Sequence, residues 1–90
     1  MQYDALKTIA TLVEDKNFTK TAEILLMSQP NVSRQIKNLE EELQSKLFIR
    51  SPRKLTLTPT GEFLYERAKQ ILSITEKTKK EILEHQQTVK

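Results

Sequence analysis

The stretch TKTAEILLMSQPNVSRQIKNLEEELQS, residues Thr19 to Ser45, decides the fold of this 90-residue chain. It indicates two helices joined by a tight turn, and the second helix is the better signalled of the two. Apolar residues recur in that helix at intervals of four, three and four, so they share one side of it; they are Val32, Ile36, Leu39 and Leu43. This side is predicted to face the core.

The opposite side of the same helix is polar and basic. At about 100° per residue, Pro30, Arg34 and Lys37 lie nearly opposite the apolar stripe, and Gln29 and Ser33 flank them. Amide, hydroxyl, guanidinium and ammonium groups in this arrangement can bind base edges and phosphates of DNA. The pattern is typical of a recognition helix.

Both ends of this helix carry local signals. Ser28 stands at the N-cap position and Pro30 falls in the first turn, where a missing N–H costs nothing. An exposed helix N-terminus also attracts phosphate. The acidic run from Glu40 to Glu42 would repel phosphate, so only the first two turns are expected to enter a groove. Glu40 could instead pair with a basic neighbour inside the fold.

Composition excludes several classes of function. There is no cysteine and one histidine, which excludes disulfides, thiolate zinc sites and Cys/His nucleophile pairs; the single glycine excludes glycine-rich phosphate loops. We therefore expect neither an enzyme nor a cofactor. The net charge of +3 is concentrated between Ser28 and Thr58, as in proteins that bind polyanions. No apolar run approaches a membrane span, and we expect a soluble, cytoplasmic protein.

Two more helices are predicted before the recognition helix. The first covers Tyr3 to Asp15, where apolar residues have the spacing of an amphipathic helix. The second is short, with Thr19 as its N-cap and its end near Leu26. Phe18, just before it, is expected to fill part of the core. The recognition helix itself is predicted over Gln29 to about Leu43.

A small hairpin is predicted next. The β-prone segments Leu47–Arg50 and Leu55–Thr58 flank the turn Ser51–Lys54, which has proline at a favoured central position. Two basic residues at its tip, Arg53 and Lys54, suggest a wing that reaches DNA, although a solvated loop has the same composition. Arg50 could either touch phosphate or brace the wing internally.

A long helix is predicted to end the chain. Thr58 is a suitable N-cap, Pro59 suits the first helical position, and no breaker follows, so the helix could run for about 30 residues, or about 45 Å. Positions spaced by four and three form a seam typical of helix pairing; they are Leu64, Ala68, Ile71, Thr75, Thr78, Ile82, His85 and Val89, with Leu72 beside them. Phe63 is expected to pack back on the domain. A tail that frays beyond about Glu84 is the alternative.

These motifs together resemble a known family. The run AEILLMSQPNVSRQIKNLEEELQSKLFIR followed by LTLTPTGE is similar to the N-terminal domain of LysR-type transcriptional regulators, and the likeness extends from Leu6 to about Leu72. The resemblance implies a winged helix-turn-helix whose long last helix pairs with its copy in a second subunit. It further implies contacts to bases, to phosphates and, from the wing, to the minor groove; these fall on Gln29, Pro30, Ser33 and Arg34, on Ser28 and Lys37, and on Arg53.

Some positions depart from the family pattern. Thr21 stands where alanine is usual, and Gln44 replaces the glycine that normally ends the recognition helix in a left-handed conformation. Asn31 replaces a common alanine and is either a further DNA contact or solvated. Family members normally continue into an effector-binding domain, whereas this chain stops at Lys90, so we expect an excised DNA-binding region, with a naturally short regulator as the alternative.

The predicted fold class is mainly α: a winged helix-turn-helix of three helices and a small β-hairpin wing over residues 1–58, then a long linker and dimerisation helix over residues 59–90. The predicted function is sequence-specific binding of double-stranded DNA by a homodimer on an inverted repeat. A tetramer of the full-length protein is left open, and no effector or membrane partner is expected. The alternative is a protein-interaction module that uses the long helix. The DNA-binding candidates are Ser28, Gln29, Pro30, Asn31, Ser33, Arg34, Lys37, Arg50, Arg53 and Lys54. The dimerisation candidates are Leu64, Ala68, Ile71, Leu72, Thr75, Thr78 and Ile82.

Overall fold

The computed structural model describes residues 1–52 and 54–88, and within them the fold consists of helices and one hairpin. In chain order the elements are α1 Tyr3–Asp15, α2 Phe18–Leu25, α3 Gln29–Leu43, β1 Phe48–Ser51, β2 Lys54–Leu57 and α4 Pro59–Thr88. The predicted fold class, a mainly α winged helix-turn-helix with a long last helix, is confirmed. No helix among the described residues is both long and apolar enough to cross a membrane.

Side-chain caps begin three of the helices. The Ser28 hydroxyl accepts a hydrogen bond from the Asn31 N–H at 3.3 Å, as predicted for the start of α3. The Thr58 hydroxyl likewise accepts from Gly61 at the start of α4. The prediction of Thr19 as the cap of α2 is wrong, because Asn17 accepts from the Lys20 N–H at 3.0 Å and α2 therefore starts at Phe18.

Helices α1, α2 and α3 each end at a left-handed residue that is not glycine. These residues are Lys16, Leu26 and Gln44, with φ of 55°, 56° and 54°. The expected left-handed cap at Gln44 is thus confirmed, at a cost of about 1 kcal/mol relative to glycine. The N–H of Gln44 compensates by donating to the last carbonyls of α3.

The core lies between α1, α3, the first strand and the first turns of α4. Its buried members are Leu6, Ile9, Leu12, Ile36, Leu39, Leu47, Phe48, Leu64 and Ala68. Val32 and Ala22 are buried where α2 and α3 meet, and Phe18 packs half-buried against the core. Phe63 does not pack back on the domain as predicted, because 63% of it is exposed.

The wing is an antiparallel hairpin joined to α3 by one carboxylate. Phe48 pairs with Leu57, so both strands are displaced by one residue from the predicted segments. Glu40 in α3 accepts hydrogen bonds from the backbone N–H of Leu47 at 2.7 Å and of Phe48 at 3.4 Å. Its other oxygen lies 3.9 Å from the Lys46 ammonium. The predicted internal pairing of Glu40 with a basic neighbour is therefore confirmed.

Candidate nucleic-acid interface

The recognition helix turns its polar side to solvent. Its apolar positions point inward, so the remaining positions of the first turns are left outside the core. Gln29, Pro30, Asn31, Arg34 and Lys37 are exposed and Ser33 is half-buried. The structure thus brings these predicted residues together on one face. Ser28 is exposed at the same end of the helix, where its side chain serves as the N-cap.

A cleft of about 850 Å³ separates this face from the wing. Its α3 side is lined by Pro30, Ser33, Arg34 and Lys37, and its other side by Lys46, Phe48, Ile49 and Arg50. Among the described residues that line the cleft, Glu40 is the one acidic residue, and its carboxylate is engaged by Leu47, Phe48 and Lys46. The cleft therefore presents a largely cationic surface.

Arg50 braces the wing against the helix-turn-helix. Its guanidinium carbon lies 4.3 Å from the centre of the Phe18 ring, and its Nη2 donates to the Ser33 hydroxyl at 3.4 Å. Stacking of this kind is favourable even at exposed sites. Of the two roles that the sequence left open for Arg50, the internal brace is therefore present, and the exposed guanidinium still borders the cleft.

Thr19 joins α2 to the recognition helix. Its hydroxyl donates to the side-chain carbonyl of Gln29 at 3.4 Å. Sequence reasoning assigned Thr19 to a helix cap and missed this contact. The signal that could have found it is the spacing of the motif, because the N-terminus of α2 crosses the start of α3 in a helix-turn-helix.

The tip of the wing is described only in part. Lys54 is exposed at the start of β2. Arg53, the predicted minor-groove residue, lies outside the described residues.

The long helix buries one part of its predicted seam. Leu64 is 7% exposed and Ala68 is fully buried, since both pack in the core of their own chain. Assigning these two residues to dimerisation is therefore wrong. Leu72 is half-buried against the same core. Val89 lies outside the described residues.

An exposed stripe on α4 remains, which we call the α4 stripe. It consists of the predicted Ile71, Thr75, Thr78 and Ile82 together with Phe63 and Ile74, which the seam prediction missed. Ile74 is 63% exposed, and Arg67 lies over the Phe63 ring at 4.8 Å. Apolar side chains on one exposed helix face favour contact with another protein surface.

Two tyrosines link α1 to α4. The Tyr3 hydroxyl donates to Glu76 at 3.4 Å and the Tyr65 hydroxyl donates to Glu14 at 3.3 Å. Burial, and next the charge of the neighbouring glutamate, raises the pKa of each tyrosine. These contacts fix the direction in which α4 leaves the domain.

The described residues contain no cluster of histidine, cysteine, aspartate or glutamate that could hold a metal ion. What they do contain is a helix-turn-helix with an outward polar helix and an adjoining basic hairpin. This combination defines the chain as a winged helix-turn-helix module.

The family follows from comparison with known proteins. The model described as "Bacterial regulatory helix-turn-helix protein, lysR family" matches residues 3–62, and the chain belongs to this family. The resemblance found in the sequence is thereby confirmed.

Among curated relatives, the chain is 56% identical over 90 residues to the HTH-type transcriptional regulator CysL of Bacillus subtilis. It is 44% identical over 73 residues to the HTH-type transcriptional regulator BenM of Acinetobacter baylyi. The matches cover 100% and 81% of this chain but only 30% and 24% of those regulators. The chain thus spans less than a third of the length of either relative.

Solved structures give the same picture. A complex of the BenM DNA-binding domain with catB site 1 DNA matches with a TM-score of 0.89 at 38% identity, over 93% of this chain and 94% of that one. A complex of the CbnR DNA-binding domain with DNA matches with a TM-score of 0.87 at 30% identity, over 94% and 98%. Both of these neighbours are DNA-binding domains with DNA bound.

Proposed function

We propose that this chain is a sequence-specific, double-stranded DNA-binding domain of a cytoplasmic transcription regulator and has no catalytic role. The observation that carries the proposal is the cationic cleft between α3 and the wing, where donors from Ser33, Arg34, Lys37 and Arg50 converge. Arginine and lysine donors suit guanine edges and phosphates. The likeness to two DNA-bound domains supports the same function.

In this proposal the residues divide the work by position. Gln29, Pro30, Asn31, Ser33 and Arg34 face the bases of the major groove, because they occupy the first turns of α3. The phosphates are bound by Ser28, Lys37, Arg50 and Lys54 and by the N-terminus of α3. Arg53 is proposed for the minor groove from the sequence resemblance alone.

We further propose that residues 59–90 form a homodimer through the α4 stripe. Apolar side chains there are exposed, and a two-fold dimer would place two recognition helices on an inverted repeat. Residues 1–58 would then supply the DNA-reading part, although Leu64 and Ala68 of α4 complete its core.

Selection of bound sequences from a random duplex pool, at two salt concentrations, tests the function. We expect an enriched inverted repeat with half-sites about one or two helical turns apart and affinity that falls steeply with salt, because phosphate contacts release counterions. Absence of salt-sensitive binding would instead support a protein-interaction module built on α4.

Two substitutions separate base reading from phosphate binding. Arg34→Ala should cost about 1 to 3 kcal/mol on the selected site and relax its sequence preference, whereas Lys54→Ala should weaken binding to all duplexes alike. Equal losses on selected and random DNA for Arg34→Ala would contradict its assignment as a base reader.

Sedimentation equilibrium tests the dimer. Ile74→Asp should shift the chain toward monomer, since a carboxylate in an apolar interface is costly to bury. Ser73→Asp is the matched control, because it adds the same charge at an exposed position on another face of α4. If both variants associate like the parent chain, α4 pairing through this stripe is excluded.

A further inference from the structure

The polar side chains of the recognition helix are not free to rotate. Gln29 is held by the Thr19 hydroxyl from α2, at 3.4 Å from its side-chain carbonyl. Ser33 is held by the Arg50 guanidinium from β1, at 3.4 Å from its hydroxyl oxygen. Each restraint comes from a different element, so the folded domain fixes both side chains before any ligand arrives.

The restraints decide which atoms face the cleft. An amide side chain carries one acceptor oxygen and an NH₂ group with two donors. Because the Gln29 carbonyl accepts from Thr19, its NH₂ group is left to point outward. The Ser33 oxygen accepts from Arg50, and its own proton remains available to donate. Arg34, between them in the sequence, carries donors only.

We propose that Thr19 and Arg50 are positioning residues that give the recognition helix a donor-only face, which selects guanine or thymine beneath Gln29 and Ser33. Guanine presents N7 and O6 as acceptors in the major groove and thymine presents O4, whereas adenine N6 and cytosine N4 are donors. Donors facing donors leave both unpaired. The inference rests on the proposed DNA-binding function and specifies what that surface reads.

The two positioning residues are themselves anchored. Thr19 lies in the first turn of α2, which Asn17 caps. Arg50 is stacked on the Phe18 ring at 4.3 Å. An unrestrained glutamine could present its oxygen and nitrogen together and bind adenine N6 and N7. The restraint by Thr19 therefore decides between two base preferences that glutamine alone allows.

The test compares duplex pools selected by the parent chain and by Thr19→Val, which removes the hydroxyl and keeps the branched shape. Gln29→Ala first identifies the base pair that Gln29 reads, as the position whose preference is lost. We expect guanine or thymine there for the parent chain and a rise of adenine by about tenfold for Thr19→Val, the scale of one bidentate contact.

Two controls separate positioning from general damage. Thr19→Ser keeps the hydroxyl and should restore the parental preference. Thr11→Val removes a hydroxyl on α1 that bonds only the Lys7 carbonyl in its own helix, and it should leave the preference unchanged. Arg50→Met tests the second restraint independently, since adenine or cytosine should then appear at the position that Ser33→Ala identifies.

The outcomes are distinct. If the parent chain selects adenine or cytosine at the Gln29 position, or if Thr19→Val and Arg50→Met both select the parental bases, the positioning role is wrong while DNA binding stands. If the parent chain enriches no sequence at all, the proposed function fails and this inference fails with it.

Discussion

Glu40 provides the sharpest test of how the wing is held. Its carboxylate accepts the backbone N–H of Leu47, a residue with no exposed surface, at 2.7 Å. Glu40→Ala would leave that N–H buried without an acceptor. The second N–H, from Phe48 at 3.4 Å, is long, and Lys46 is largely exposed, so neither adds much.

The expected loss follows from the main hydrogen bond. Hydrogen bonds to charged groups contribute about 1.5 to 3 kcal/mol, so Glu40→Ala should lower the free energy of unfolding by about 2 kcal/mol. In urea the midpoint should fall by about 1 to 2 M, and the melting temperature by about 8 to 16 °C. Both are measured by circular dichroism at one fixed protein concentration, because association shifts apparent stability.

Matched variants make the result decisive. Glu40→Gln keeps an acceptor for Leu47 and should lose about half as much. Glu41→Ala, at the next and exposed position of α3, should change stability by less than about 0.5 kcal/mol. A Glu40→Ala variant as stable as Glu41→Ala would refute the view that this carboxylate joins the wing to the recognition helix.

Three further predictions concern stability. Thr21→Val should raise the unfolding free energy by about 1 kcal/mol in urea melts, because the Thr21 hydroxyl is buried without a hydrogen-bond partner; a loss would show that the hydroxyl is satisfied. Gly61→Ala should destabilise by about 3 kcal/mol or prevent folding, since its Cβ would overlap the Leu47 carbonyl oxygen; a parental melting curve would contradict this packing. Burial and then Glu76 raise the pKa of Tyr3, so its stabilising effect is complete below the unperturbed value and declines as the pH rises through the shifted one. Tyr3→Phe should therefore flatten the fall in stability between about pH 9 and about pH 11, and an equally steep fall in both proteins would exclude the effect.

Local chemistry explains why most of the fold could be predicted. The boundaries of α3 follow from Ser28 and Pro30 at one end and from the end of an apolar stripe at Leu43. The boundary of α2 was missed because Asn17 and Thr19 both have cap-forming side chains two positions apart, and propensity cannot choose between them. Only the contact of Thr19 with Gln29 shows that this side chain points elsewhere.

Periodicity predicted a buried stripe on α4 but not the surface that covers it. Leu64 and Ala68 have the spacing expected of a helix seam, yet α1 of the same chain covers them. A repeat of three and four residues shows which side of a helix is apolar, and an intramolecular partner satisfies it as well as a second copy does. Arg50 was equally ambiguous, because its partners Phe18 and Ser33 are distant in sequence.

Because α4 is one unbroken helix from Pro59 to Thr88, its residue count sets an angular phase between the DNA-reading face and the exposed stripe. The early turns are fixed in the core through Leu64 and Ala68. Inserting one residue after Leu72 would rotate Ile82 and everything beyond it by about 100° and advance them by about 1.5 Å, while the wing and α3 stay in place. The spacing between two half-sites is thus encoded as a whole number of residues, and it can change in evolution only in discrete steps.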